Sequence, residues 1–242
     1  MRTIKSKGGI NGVRLWFTLD EIEATMGGLR VRSGQDQLRR GGVDVERVLK
    51  SEFGIEADYQ DLGDGVLGAT HFAESGELAV VISAQLGEEA EVDTVAWRRL
   101  RSTLAHECGH CALHRTLFQM NRDQTTMFES VDAIDKHLCR SADICPEMEH
   151  SGAHEFSKSW TEYQANQAMS QLLLPREWVL EFMEQLEGYD SHNGLGTIIA
   201  VKGVNYVIER VAEAFDVSKQ MVHYRLSSLG LSSSTRLLQD ND

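Results

Sequence analysis

Residues 93–114 read DTVAWRRLRSTLAHECGHCALH. On a helical wheel of about 100° per residue, Trp97, Leu100, Leu104, Cys108 and Cys111 form one apolar stripe, and His106 and His110 fall roughly opposite. The pattern predicts a long helix over 93–116 with one face packed on a sheet and the other lining a cleft. His106 and His110 are four residues apart, so they lie about 40° from each other, one turn up the same face. Two imidazoles placed that way can reach one ion at about 2.0–2.1 Å. Glu107 sits beside that face, within reach of a water near the ion, where it can take and return protons.

His106-Glu107-Cys108-Gly109-His110 thus has the HExxH form of a zinc-peptidase helix. The rival reading is a buried structural histidine pair, and the apolar stripe opposite the histidines weighs against it. A catalytic ion needs a third protein ligand. Downstream, WTEYQANQAMSQLLL (160–174) predicts a helix stopped by Pro175, and it offers Glu162. The alternative for Glu162 is a solvated glutamate at a helix start, where a negative charge suits the dipole. Asn166, four residues on, shares the face of Glu162 and could orient a ligand or substrate. His114 continues the series 106, 110, 114 but swings a further 40° or so around the helix, which reads as support or packing rather than ligation. Cys108 and Cys111 read as small buried hydrophobes.

Working outward, 17–26 predicts a short helix capped by Thr18 or Asp20, and Gly27 to Gly42 a linker or flexible arm. Residues 43–53 predict an amphipathic helix, 66–72 and 77–85 two strands, and 176–187 a further helix. The stretch 119–158 is polar and irregular. It holds His137, Cys139, Cys145, His150 and His154, of which Cys139, Cys145 and His150 could bind a structural metal, although no spacing matches a familiar finger. GYDSHNGLG (188–196) reads as a boundary. Beyond it, Ala212, Val217, Val222 and Leu226 fall where a helix–turn–helix buries its residues, with Ser218 as a cap and Lys219, Gln220, His223 and Arg225 decorating the second helix.

The expected fold class is therefore α+β: a small mixed or antiparallel sheet packed on the HExxH helix and further helices, with a C-terminal helix–turn–helix-like helical domain. The expected organisation is an N-terminal arm with a short helix (1–42), a catalytic domain (43–187, with 119–158 as an insertion) and a helical domain (196–242). Of 242 residues, 41% are hydrophobic and 25% charged, which excludes disordered, collagenous and coiled-coil classes. No apolar run approaches the roughly 18–20 residues of a membrane span, and the first residues lack the apolar block of a signal peptide. The expectation is a cytoplasmic protein with no membrane partner, its four cysteines thiols or ligands. The formal net charge of −13 is uneven: residues 1–50 carry +4, 51–195 carry −17 and 196–242 carry none. The acidic middle repels phosphate and favours basic partners, or is simply a solvating surface.

LAHECGHCALH (104–114) and EYQANQAMSQLLLP (162–175) together resemble the ImmA/IrrE metallopeptidases, whose hallmark is an LAHExGHxxLH helix followed by an ExxANxxAxxLLxP helix. The resemblance covers about 43–187. It implies a gluzincin-like core, with His106, His110 and Glu162 as metal ligands and Glu107 as general base. It also implies cleavage of a specific DNA-binding transcriptional repressor, freeing mobile-element or stress-response genes. One zinc ion is the implied cofactor, with manganese also compatible with two histidines and a glutamate. Two features depart from the family: Met169 replaces a small alanine, and about 50 residues separate His110 from Glu162. The implied partner is a basic helix–turn–helix repressor, which the acidic middle would attract. The competing reading is a DNA-binding regulator that uses the C-terminal helices and keeps the core as a sensor or relic. A third is a metal-holding interaction module without turnover. DNA binding is not favoured, because the C-terminal segment lacks a basic footprint.

Overall fold

A computed structural model describes residues 2–10, 13–37, 41–73, 77–120, 135–140, 156–190, 192 and 194–231. The N-terminal residues form an antiparallel pair, β1 (Arg2–Ile10) and β2 (Val13–Trp16). Helix α1 (Leu19–Arg32) follows, capped at Thr18, whose hydroxyl accepts the Glu21 N–H at 3.1 Å while the Glu21 carboxylate accepts the Thr18 N–H at 2.9 Å. This reciprocal pair satisfies two of the helix's unmatched donors. The expected linker from Gly27 is absent, and the helix runs through Gly27 and Gly28 to Arg32. Packing overrides the weak propensity of glycine: Met26 and Leu29 are buried, and the Arg30 guanidinium lies 4.3 Å over the Trp178 ring.

Helix α2 (Val45–Phe53) is capped by Asp44 and ends in a left-handed Gly54 at φ 69°, a conformation glycine adopts without penalty. The strands β3 (Asp58–Gln60), β4 (Val66–Phe72), β5 (Leu78–Ser83) and β6 (Asp135–Arg140) make a mixed sheet in the order β3-β5-β4-β6. β3 runs parallel to β5, while β4 is antiparallel to β5 and β6. The second expected strand stops short, because Ser83 caps α3 (Ala84–Ala90). β6 lies within the stretch expected to be irregular. It carries the backbone of His137 and Cys139, while Cys145, His150 and His154 fall outside the described residues, as does any test of a second metal there.

Helix α4 (Thr94–Met120) lies between the sheet and α5 (Phe156–Leu173). Along its middle turns the expected two-faced character gives way to burial on every side: Leu100, Leu104, Cys108 and Cys111 are buried, and so are His106, Glu107, His110 and His114. A helix enclosed by neighbours all round needs no amphipathic contrast. Trp97, expected on the buried stripe, is 42% exposed and donates its indole N–H to Asp216.

Helices α6 (Arg176–Glu184), α7 (Leu195–Lys202), α8 (Val204–Phe215) and α9 (Lys219–Ser228) complete the chain's described part. Val207, Val211, Phe215, Val222 and Leu226 belong to the same apolar cluster as Leu172, Leu173 and Trp178. The α8–α9 connection turns on Asp216, left-handed at φ 53°, whose carboxylate receives Trp97 and Arg98 and so ties the connection to α4. Ser218 caps α9, and Ala212, Val217, Val222 and Leu226 are all buried. Arg225 departs from expectation. It is only 2% exposed and donates to the Leu174 carbonyl and the Glu23 carboxylate, so it is a packing residue rather than a surface decoration. Among the described residues no helix is long and apolar enough to cross a membrane.

Candidate metal centre

The face of α4 that carries His106 and His110 meets the N-terminal half of α5, which carries Glu162. Their close approach depends on Gly109. A Cβ built there would stand 2.9 Å from Ala168 Cβ and 3.2 Å from the Ala165 carbonyl oxygen, so the small residues at 109, 165 and 168 let the two helices touch backbone to backbone. Glu107, about 100° around α4 from His106, faces the sheet instead. Thr70 of β4 donates its hydroxyl to Glu107 Oε2 at 2.5 Å. Gly68 leaves the room: a Cβ there would lie 2.7 Å from Thr103 Cγ2 and 3.1 Å from Glu107 Oε1.

The three candidate ligands converge. His106 Nε2 lies 2.9 Å from Glu162 Oε2 and 3.1 Å from His110 Nε2, and His110 Nε2 lies 3.5 Å from Glu162 Oε1. Zinc bonds of about 2.0–2.1 Å would set tetrahedral ligand atoms about 3.3–3.4 Å apart, so the observed spacing brackets the edges of such a site. Two imidazole nitrogens cannot face each other at 3.1 Å with both lone pairs bare, so either a proton carried by one of them or a metal ion has to lie between. Among the described residues this is the group of three His, Cys, Asp or Glu side chains with a metal-holding arrangement.

Without a metal, a proton serves. Burial disfavours the imidazolium of His106, but the hydrogen bond to Glu162 and the charges of Glu162 and Glu107 outweigh it, and the pKa of His106 is raised. Burial also raises the thiols on the opposite side, Cys108 to about 12 and Cys111 upward as well.

Of the residues named from sequence, Asn166 places its Oδ1 3.0 Å from His106 Nδ1, and His114 places its Nδ1 3.0 Å from His110 Nδ1. Three participants were not anticipated: Thr70 beneath Glu107, Gln164 beside His114, and the Leu15 carbonyl, which reaches α5 from the N-terminal hairpin. Gln164 had a readable signal. Thr161, Gln164, Gln167 and Gln171 recur every three or four residues through an otherwise core-facing helix, and all are buried. Thr70 and Leu15 had none, since their roles depend on which strand meets which helix. Among the described residues the histidine face is buried rather than lining the expected open cleft. Of the three donors only Glu162 shows appreciable side-chain exposure, at 14%, and a cavity of about 390 Å³ lies elsewhere, near Tyr59, Gly87 and Trp97.

No known family model matches the chain, and no curated protein matches it either.

Proposed function

We propose that this chain is a metal-dependent endopeptidase of the ImmA/IrrE type, acting on a specific regulatory protein. The observation that carries the reading is the convergence of His106, His110 and Glu162 from two helices, with Glu107 next to His106 in the chain, close enough for its charge to act on that imidazole, and its carboxylate held by Thr70. His106 Nε2, His110 Nε2 and the Glu162 carboxylate would hold the ion. Zinc is the first choice, and manganese also accepts this donor set. When bound, such an ion lowers the pKa of a water to about 7 and polarises a carbonyl. Glu107 would be the proton carrier, accepting a proton from the water and returning it to the departing amine, one carboxylate serving both transfers. Asn166 keeps a proton on His106 Nδ1, which leaves Nε2 as the donor atom.

The substrate that suits this chain is a basic protein, with a helix–turn–helix repressor as the working choice, because residues 51–195 carry −17. The C-terminal helices would then dock a protein rather than read DNA. Arg225, one of the four residues expected to decorate the second helix, is buried against Leu174 and Glu23, which counts against the DNA-binding reading. The deciding experiment compares wild type with Glu107→Gln for metal content by elemental analysis and for cleavage of a co-expressed basic repressor. Equal metal in both with cleavage by wild type alone supports the proposal. Cleavage that survives Glu107→Gln removes Glu107 from its role, and absence of metal from both proteins overturns the site.

A further inference from the structure

The hydrogen bonds behind His110 form a chain whose direction can be worked out atom by atom. The Leu15 carbonyl of β2 accepts two donors, the Trp160 indole N–H and Gln164 Nε2, each at 3.0 Å. A carbonyl only accepts, so the amide nitrogen of Gln164 must face Leu15 and its Oε1 must face the other way. That oxygen lies 3.0 Å from His114 Nε2, so His114 has to donate from Nε2. A neutral His114 then carries a bare Nδ1, which stands 3.0 Å from His110 Nδ1, so His110 donates from Nδ1. The last consequence falls on the metal side: His110 Nε2 is left with its lone pair aimed at His106 and Glu162.

We propose that Gln164 is a positioning residue that, clamped by the Leu15 carbonyl, orders the protons of His114 and His110 and so presents His110 Nε2 for metal binding. The inference rests on the metal-centre reading and extends it to the N-terminal hairpin, which becomes part of the site although it contributes no ligand. The hairpin is held there by aromatic stacking: Trp16 on Trp160 with centroids 4.9 Å apart and planes within 18°, and Trp160 on Tyr163 at 5.5 Å. His106 has its own orienting partner in Asn166, so Gln164 acts on one of the two histidines only.

The test uses the full chain with zinc ion alone as the probe. Gln164→Met keeps the side-chain length and removes both bonds. Gln167→Met serves as the control, since Gln167 is equally buried on α5 but bonds Tyr224 instead. Zinc affinity, read by chelator competition, should fall about 10–100-fold in Gln164→Met, the usual effect of losing a partner behind a ligand, and should hold in Gln167→Met. Imidazole ¹⁵N spectra of the metal-free wild type should show protons on His114 Nε2 and His110 Nδ1, and this readout does not require the variant to fold. Unchanged affinity in Gln164→Met, an equal loss in Gln167→Met, or a His114 protonated at Nδ1 in wild type would each overturn the proposal. Failure of the metal reading looks different: wild type itself would take up no zinc.

Discussion

The contact between α4 and α5 makes a prediction about one methyl group. At Gly109 an added Cβ would sit 2.9 Å from Ala168 Cβ, 3.2 Å from the Ala165 oxygen and 3.3 Å from Ala165 Cα. None of these is the flexible end of a side chain, so α5 itself has to move. Overpacking of this kind costs about 1–3 kcal/mol, while replacing glycine by alanine inside a helix returns about 0.8–1.0 kcal/mol. Gly109→Ala should therefore lose about 1 kcal/mol net and lower Tm by roughly 2–4 °C in a chain of this size. Gly27, inside α1 with no heavy atom within 4 Å of the place its methyl would occupy, supplies the control. There the same change should stabilise by about 0.5–1 kcal/mol. The opposite signs carry the test, because propensity alone would make both positive. Glu162 lies one turn before Ala165, so a displaced α5 also carries the third donor away from the histidines. Thermal unfolding with and without zinc measures both effects. A Gly109→Ala protein that matches wild type in Tm and in the zinc-induced rise would refute the reasoning that this glycine sets the geometry of the site.

Three further outcomes are expected. Thr70→Val preserves shape but deletes the donor to the buried Glu107 carboxylate, and hydrogen bonds to charged groups are worth about 1.5–3 kcal/mol. Turnover should drop while bound metal stays, and an unaltered rate would remove Thr70 from the machinery. Because the folded pKa of His106 is raised above its ordinary value of 6.5, its protonation stabilises the metal-free fold fully below about pH 6.5, and that contribution fades as pH rises through the folded value. A metal needs the bare nitrogen, so the zinc-induced rise in Tm should grow with pH over the same range, and a pH-independent rise would contradict the proton-for-metal exchange. Finally, Cys108 and Cys111 should resist alkylation at pH 8 in the native protein and react on denaturation, since burial holds both thiols in the neutral form. This is cleanly read with Cys139 and Cys145 replaced by serine.

What could be read from the sequence was what lies close along the chain. The HECGH helix, the helix bearing Glu162, the caps at Thr18 and Ser218, and the strand at 66–72 all follow from spacings of two to four residues. What escaped depends on partners far away in sequence. Helix α1 survives two glycines because Trp178, some 150 residues on, packs over Arg30. Arg225 leaves the surface because Glu23 and Leu174 are there to receive it. β6 exists as a strand by pairing with β4 from Val66 to Phe72, and a polar segment such as DKHLCR shows no period-two apolar pattern from which to infer it.

The same distinction applies inside the site. His106 and His110 share one face of α4, and Glu162 and Asn166 one face of α5, and a helix face is a local property of sequence. Residues that orient those ligands need only reach them, from any element. Gln164 shares α5 with Glu162, yet its function depends on the carbonyl of Leu15, 149 positions earlier in the chain. The burial of the histidine face has a related consequence. With His106 and His110 at 0% and 1% exposure, solvent among the described residues comes to the donors only past Glu162. Trp16 and Tyr163, 41% and 43% exposed, are the outer members of the aromatic stack on Trp160. The hairpin proposed to orient His110 from behind is thus held to α5 by a partly exposed stack, so changes that loosen β2 should weaken metal binding.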